Sequence, residues 1–223
     1  MTDYLALESI EMETLISSVL LLLIITNILL LGFSQFRTCV RVVALQGIVL
    51  GMLPILLHLG ELPLSAIILG IVTIAIKGLI FPGILLKATR ESGVHWEVRP
   101  YVSHALSMIV GFVALTFAGL LVGHIPILAE NALSASVSFF MILVGLFIII
   151  SRRKAINQIL GYLVLENGMY LFGIFMLQDL PLLVDLGVLL DAFAAVFVMG
   201  AVMYQINRTF DHMDVDQLDK LRG

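Results

Sequence analysis

The sequence predicts an all-α, polytopic membrane protein of about seven transmembrane helices. Three observations predict it. Of 223 residues, 61% are hydrophobic and 13% charged, where a soluble domain carries roughly 25% charge, and the mean hydropathy is +1.12. Apolar runs recur at about the 20-residue length that crosses a bilayer. The connections between them are short and alternate in charge.

Seven runs meet the length requirement: 15–33, 38–59, 63–86, 101–124, 132–150, 155–177 and 183–206. The N-terminal segment MTDYLALESIEMET is acidic where a secretory signal is basic, and the run after it is too long for a signal core; residues 15–33 are therefore predicted to be a retained helix. The loops HLGELP, GHIPILAEN and QDLPLLVD carry acids and proline but no Lys or Arg. The others hold Arg37, Arg41, Lys87, Arg90, Arg99, Arg152, Arg153 and Lys154. Every second loop is basic, which predicts an N-out, C-in topology with the tail 208–223 in the cytoplasm. Trp96 and Tyr101 then fall at the cytoplasmic headgroup level, an ordinary place for aromatic anchors.

Composition also excludes several function classes. Cys39 is the single cysteine, so no internal disulfide forms, and no Cys/His cluster has the spacing of a zinc, haem or iron–sulfur site. No phosphate loop, G-x-S-x-G elbow or H-E-x-x-H helix occurs. No cofactor, metal or nucleic-acid partner is expected, and any redox chemistry belongs to a partner subunit. The ten methionines follow no helical register and read as gap-fillers in helix packing.

A weak internal repeat divides the single membrane domain. RVVALQGIVLGMLPILLHL (41–59) resembles AINQILGYLVLENGMYLFG (155–173), the first opening on Arg41 and the second preceded by Lys154, each followed by an acidic loop containing Pro and a helix carrying charge. With 101–124 as a connecting helix, a three-helix unit at 15–86 and another at 132–207 would run the same way through the membrane, a parallel repeat. The other reading is that two apolar helices simply look alike.

Charged groups at membrane depth are rare, because each costs at least ~2.5–3.5 kcal/mol at a helix centre, and they usually face a bundle interior or a watery cavity. Lys77 in IVTIAIKGLIFPG, Glu166 in LVLENGMY and Asp191 in GVLLDAFAAV are three such residues. At about 1.5 Å per residue, Asp191 lies roughly 12 Å, Glu166 roughly 16 Å and Lys77 roughly 21 Å from the outer end of its span, a staircase across the core. Burial disfavours the charged form and an opposite charge restores it, so such a row can exchange protons near neutrality, with water and the neighbouring amide of Asn167 bridging gaps. The competing reading is that Glu166 or Asp191 merely satisfies Lys77 or a partner helix, as interhelical glue.

Weaker candidates follow. Asp185 precedes Asp191 by six residues, on a different face, and reads first as an interfacial acid. His58, His104 and His124 lie near span ends, as headgroup contacts or sites of proton uptake. Pro82, five residues after Lys77 and followed by Gly83, is expected to disturb the helix near the ammonium, since proline removes a ladder bond; a merely tolerated membrane proline is the alternative.

The segments SRRKAINQILGYLVLENGMYLF, LLVDLGVLLDAFAAVFVMGAVMYQINRT and DVDQLDKLRG, with IKGLIFP in the first half, resemble the hydrogenase-4 component E family, a membrane subunit of formate hydrogenlyase and related membrane-bound [NiFe]-hydrogenase complexes. More distantly, the last three helices are similar to the K-type subunit of respiratory complex I and the C-type subunit of multi-subunit cation/proton antiporters. The Arg-Arg pair, Gly161, Asn167 and the terminal Arg-Gly carry that likeness. The resemblance implies a proton-transfer axis of buried acids in an inner-membrane complex, with antiporter-like, small membrane, iron–sulfur and nickel–iron subunits as partners. Asp191 matches the second K-type glutamate, with Asp for Glu. The first has Leu163 at its position and its carboxylate three residues later, at Glu166, close to one helical turn away.

The resulting expectation is a non-redox subunit without a catalytic site of its own, inside an oxidoreductase complex. It would contribute Glu166, Asp191 and Lys77 to proton or sodium translocation, with Asn167 and Asp185 in support. A structural adaptor whose charges only pair with neighbouring subunits is the rival. An independent solute transporter is disfavoured, because no pair of broken helices and no substrate-sized polar cluster occurs.

Overall fold

The computed structural model describes residues 2–58, 63–91, 102–152, 155–176 and 200. Among them the chain is helical throughout its apolar runs, as it must be where no water can satisfy backbone polar groups. Helix α1 is Thr2–Gly32, α2 Phe36–Leu57, α3 Leu64–Thr73, α4 Phe81–Glu91, α5 His104–Gly123, α6 Ala132–Ser151 and α7 Ala155–Met176. A π-helical turn, Ile74–Ile80, joins α3 to α4, and a 3₁₀ turn, Pro126–Asn131, leads into α6.

Six stretches are long and apolar enough to cross a membrane: Glu11–Gly32, Phe36–Leu57, Leu64–Lys87, His104–Gly123, Pro126–Ser151 and Asn157–Met176. They coincide with the first six expected spans, apart from earlier starts to the first, at Glu11, and to the fifth, at Pro126. The seventh, 183–206, lies outside the described residues except for Gly200, which is helical. Trp96, Tyr101, Arg99, Arg153, Lys154 and Glu61 also lie outside them.

Local chemistry sets the helix ends. Pro63, with φ −69° fixed by its ring, stands at the N-cap of α3. Ser103 caps α5 by accepting the Leu106 N–H at 3.3 Å. The π turn has an equally local cause. Pro82 has no N–H and its ring crowds the preceding turn; just ahead of it the ladder widens, so that Phe81 N–H bonds the Ile76 carbonyl, five residues back. The disturbance expected of Pro82 thus takes the form of a wide turn with Lys77 at its centre, and such turns are rare and frequent at functional sites.

Close helix packing relies on missing side chains. A Cβ on Gly145 would lie 2.5 Å from Leu165 N, and one on Gly161 would lie 2.8 Å from Gly145 O, so α6 and α7 meet backbone to backbone. On the other side of the bundle a Cβ on Gly47 of α2 would lie 2.7 Å from both C and Cβ of Lys77. The π turn is therefore seated directly against α2.

Two apolar clusters divide the interior. One gathers Leu30, Leu31, Val40, Val43, Phe81, Leu85, Val144, Ile148, Leu160 and Val164, all toward the ends where the basic loops attach. The other gathers Leu20, Leu23, Leu50, Leu53, Val137, Met141, Leu171 and Phe175, toward the acidic-loop ends. On α1, α2 and α7 the residues between these clusters include Thr26 and Asn27, Gln46, and Glu166 and Asn167, all buried. The bundle thus holds a polar layer between two apolar ones.

Candidate functional site: a buried acid–base pair between two helices

The centre of the polar layer is built from two helical repeats of four. Thr73 and Lys77 stand one turn apart on the first segment, Glu166 and Tyr170 one turn apart on α7, so each pair shares a face. Lys77 Nζ donates to Glu166 Oε1 at 2.9 Å, with side chains only 4% and 1% exposed. The ammonium also lies 4.9 Å from the centroid of the Tyr170 ring, within the range of a cation–π attraction. Tyr170 OH in turn shares a 2.9 Å hydrogen bond with Thr73 Oγ1.

Pairing explains how two charges persist at this depth. Each would be costly alone in the bilayer, whereas together they form one charge-assisted hydrogen bond held by an aromatic face. The net contribution to stability is small, because desolvation offsets the attraction, but loss of one partner leaves a buried uncompensated charge. An ammonium and a carboxylate in direct contact can also exchange a proton without large movement.

Lys77 and Glu166 were expected on successive rungs of a staircase. The structure joins them in one direct contact, because the long lysine side chain reaches from the π turn to α7. Asn167 is buried beside Glu166, and its Nδ2 has no hydrogen-bond partner among the described residues. Asp185 and Asp191 lie outside the described residues. His58 and His124 sit at helix C-caps, with Nδ1 within 2.9 Å of Pro54 O and 2.7 Å of Leu120 O respectively, and His104 opens α5. Among the described residues no group of three His, Cys, Asp or Glu could hold a metal ion.

Sequence reasoning missed Thr73 and Tyr170, although their i±4 spacing to the two charged residues was a usable signal. It also missed the Thr26, Asn27 and Gln46 group. Arg152, at the end of α6, is 2% exposed, and burial pushes its pKa down, with Cys39 opposing the shift. The guanidinium stays charged regardless.

The fold and the site define a multi-pass helical membrane protein that keeps a buried acid–base pair between two of its spans. Residues 133–223 match the family model of NADH-ubiquinone/plastoquinone oxidoreductase chain 4L. A Mycobacterium tuberculosis protein, Uncharacterized protein Rv0085, is 31% identical over 205 residues, 90% of this chain and 92% of its own. Hydrogenase-4 component E of Escherichia coli is 36% identical over 94 residues, 42% of this chain and 43% of its own, and the Shigella flexneri protein of that name matches equally. The chain belongs to the family of membrane proteins that includes Rv0085. No solved structure matches it.

Proposed function

We propose that the chain is a non-redox membrane subunit of a complex I-like, hydrogenase-type assembly, in which the Lys77–Glu166 pair takes part in proton or sodium translocation driven by electron transfer in partner subunits. The buried 2.9 Å contact of ammonium and carboxylate carries this reading, and the match of residues 133–223 to the chain 4L family model supports the assembly. Asp191 would be the next titratable group along the path, with Asp185 and Asn167 in support. The partners would be antiporter-like, small membrane, iron–sulfur and nickel–iron subunits. The chain would lie in the inner membrane, N-out and C-in, as two three-helix units around the connecting helix, with its tail cytoplasmic.

The interhelical-glue reading has one observation in its favour: Lys77 and Glu166 pair with each other across two helices of the same chain, and such a contact can hold helices together without moving a proton. Purification of the tagged chain in mild detergent, followed by reconstitution into vesicles, tests the proposal. The expected result is co-purification with iron–sulfur and antiporter-like polypeptides and proton uptake on addition of the electron donor. A stable lone chain, or a complex whose electron transfer moves no ion, would overturn it.

A further inference from the structure

Helices α1 and α2, outside residues 133–223, bury a second polar group. Gln46 and Asn27 are 0% exposed and Thr26 4%. Gln46 Nε2 donates to Thr26 Oγ1 at 3.0 Å, and Thr26 Oγ1 donates to the Leu23 carbonyl at 3.0 Å. Asn27 Nδ2 donates to the same carbonyl at 2.7 Å. Two acceptors, Asn27 Oδ1 and Gln46 Oε1, are left buried with no hydrogen-bond partner among the described residues.

Turning the amides does not remove the problem. A flipped Asn27 would set its oxygen against the Leu23 carbonyl, acceptor against acceptor, and a flipped Gln46 would orphan a donor instead. The small polar ligand that donates to such oxygens inside a protein is water. The group lies in the same polar layer as the ion pair, with the two apolar clusters on either side. Gln46 also immediately precedes Gly47, whose bare Cα touches the backbone of Lys77.

We propose that Thr26, Asn27 and Gln46 hold ordered water between α1 and α2, and that this water forms a second arm of the polar layer delivering protons to the Lys77–Glu166 pair. The inference rests on the proton-carrier reading above. A proton passed from the water to the Glu166 carboxylate is replaced from the far end of the water chain. The three side chains stay neutral and only orient the water, so they are positioning residues.

Asn27→Leu is the informative variant, because the one side-chain hydrogen bond that Asn27 makes among the described residues lies within its own helix and its loss separates no helices. Assembled complexes carrying it are expected to lose donor-driven proton uptake by roughly fivefold or more, the rate equivalent of about one hydrogen bond. The loss should be largest at high pH, where protons are scarce, and shrink as pH falls. Asn27→Ser, which leaves room for water and an acceptor, is expected to retain uptake. Undiminished uptake in Asn27→Leu, or a loss equal at every pH, overturns the proposal. In the unaltered complex, a density map fine enough to show waters should place one on each orphaned oxygen, and bare oxygens there would also overturn it, whether or not the variants assemble. Glu166→Gln in the same vesicles separates the two readings: normal pumping by Glu166→Gln defeats the proton-carrier reading itself, while a dead Glu166→Gln beside a normal Asn27→Leu defeats only the water arm.

Discussion

Lys77 Nζ and Glu166 Oε1, 89 positions apart in the chain, lie 2.9 Å apart in a bundle interior that excludes solvent from both. Removal of one partner should therefore cost more stability than removal of both. Lys77→Met leaves the carboxylate without its ammonium, and the penalty of about 3–5 kcal/mol should show as reduced assembly and a lower Tm in detergent. Lys77→Met combined with Glu166→Gln is expected to recover most of that stability without recovering coupled proton movement. Thermal melts of both variants check the first statement, and equal losses would contradict it.

The Tyr170 ring and hydroxyl have separate roles. Tyr170→Phe keeps the face under the ammonium and removes the 2.9 Å bond to Thr73, an expected loss of about 1 kcal/mol. Tyr170→Leu also removes the cation–π contact and should cost about 1 kcal/mol more. A thermal-shift series with Thr73→Val separates the terms, since Thr73→Val and Tyr170→Phe should not add.

Gly47 and Gly161 are expected to tolerate no side chain. Gly47→Val would push the π turn off α2 and carry Lys77 away from Glu166, while Gly161→Val would part α7 from α6. Overpacking of this kind costs about 1–3 kcal/mol. The distinguishing outcome is functional: among complexes that assemble, Gly47→Val should lower coupled proton uptake more than Gly161→Val does.

Loop charge predicts topology independently of the site. In a Cys39→Ser background, cysteines placed at positions 61 and 130 should react with an impermeant reagent from outside, and one at position 153 only from the cytoplasmic side. Labelling of position 61 from the cytoplasm alone would reverse the assignment.

Six spans and the two central charges were legible in the sequence because each follows from one-dimensional quantities: run length and the rarity of Lys and Glu in apolar runs. The direct contact of Lys77 with Glu166 was legible only as one of several alternatives, since depth counted along separate helices ignores both the reach of the lysine and the π turn ahead of Pro82. The polar layer through Asn27 and Gln46 was hidden for a different reason. Single amides in apolar helices are common enough to pass unnoticed, and only the packing of α1 on α2 turns them into a shared site. The histidines carried the opposite lesson, two of them being held at helix ends by backbone carbonyls.

Glu166→Gln keeps the size and hydrogen-bonding reach of the side chain and removes the group that titrates. The direct measurement is proton uptake per electron in vesicles holding the assembled complex, driven by its own donor. The account predicts that the Glu166→Gln complex assembles and still transfers electrons while its proton uptake is lost. Full proton uptake by that complex would contradict it, and would leave Lys77 and Glu166 as a structural clamp between two helices.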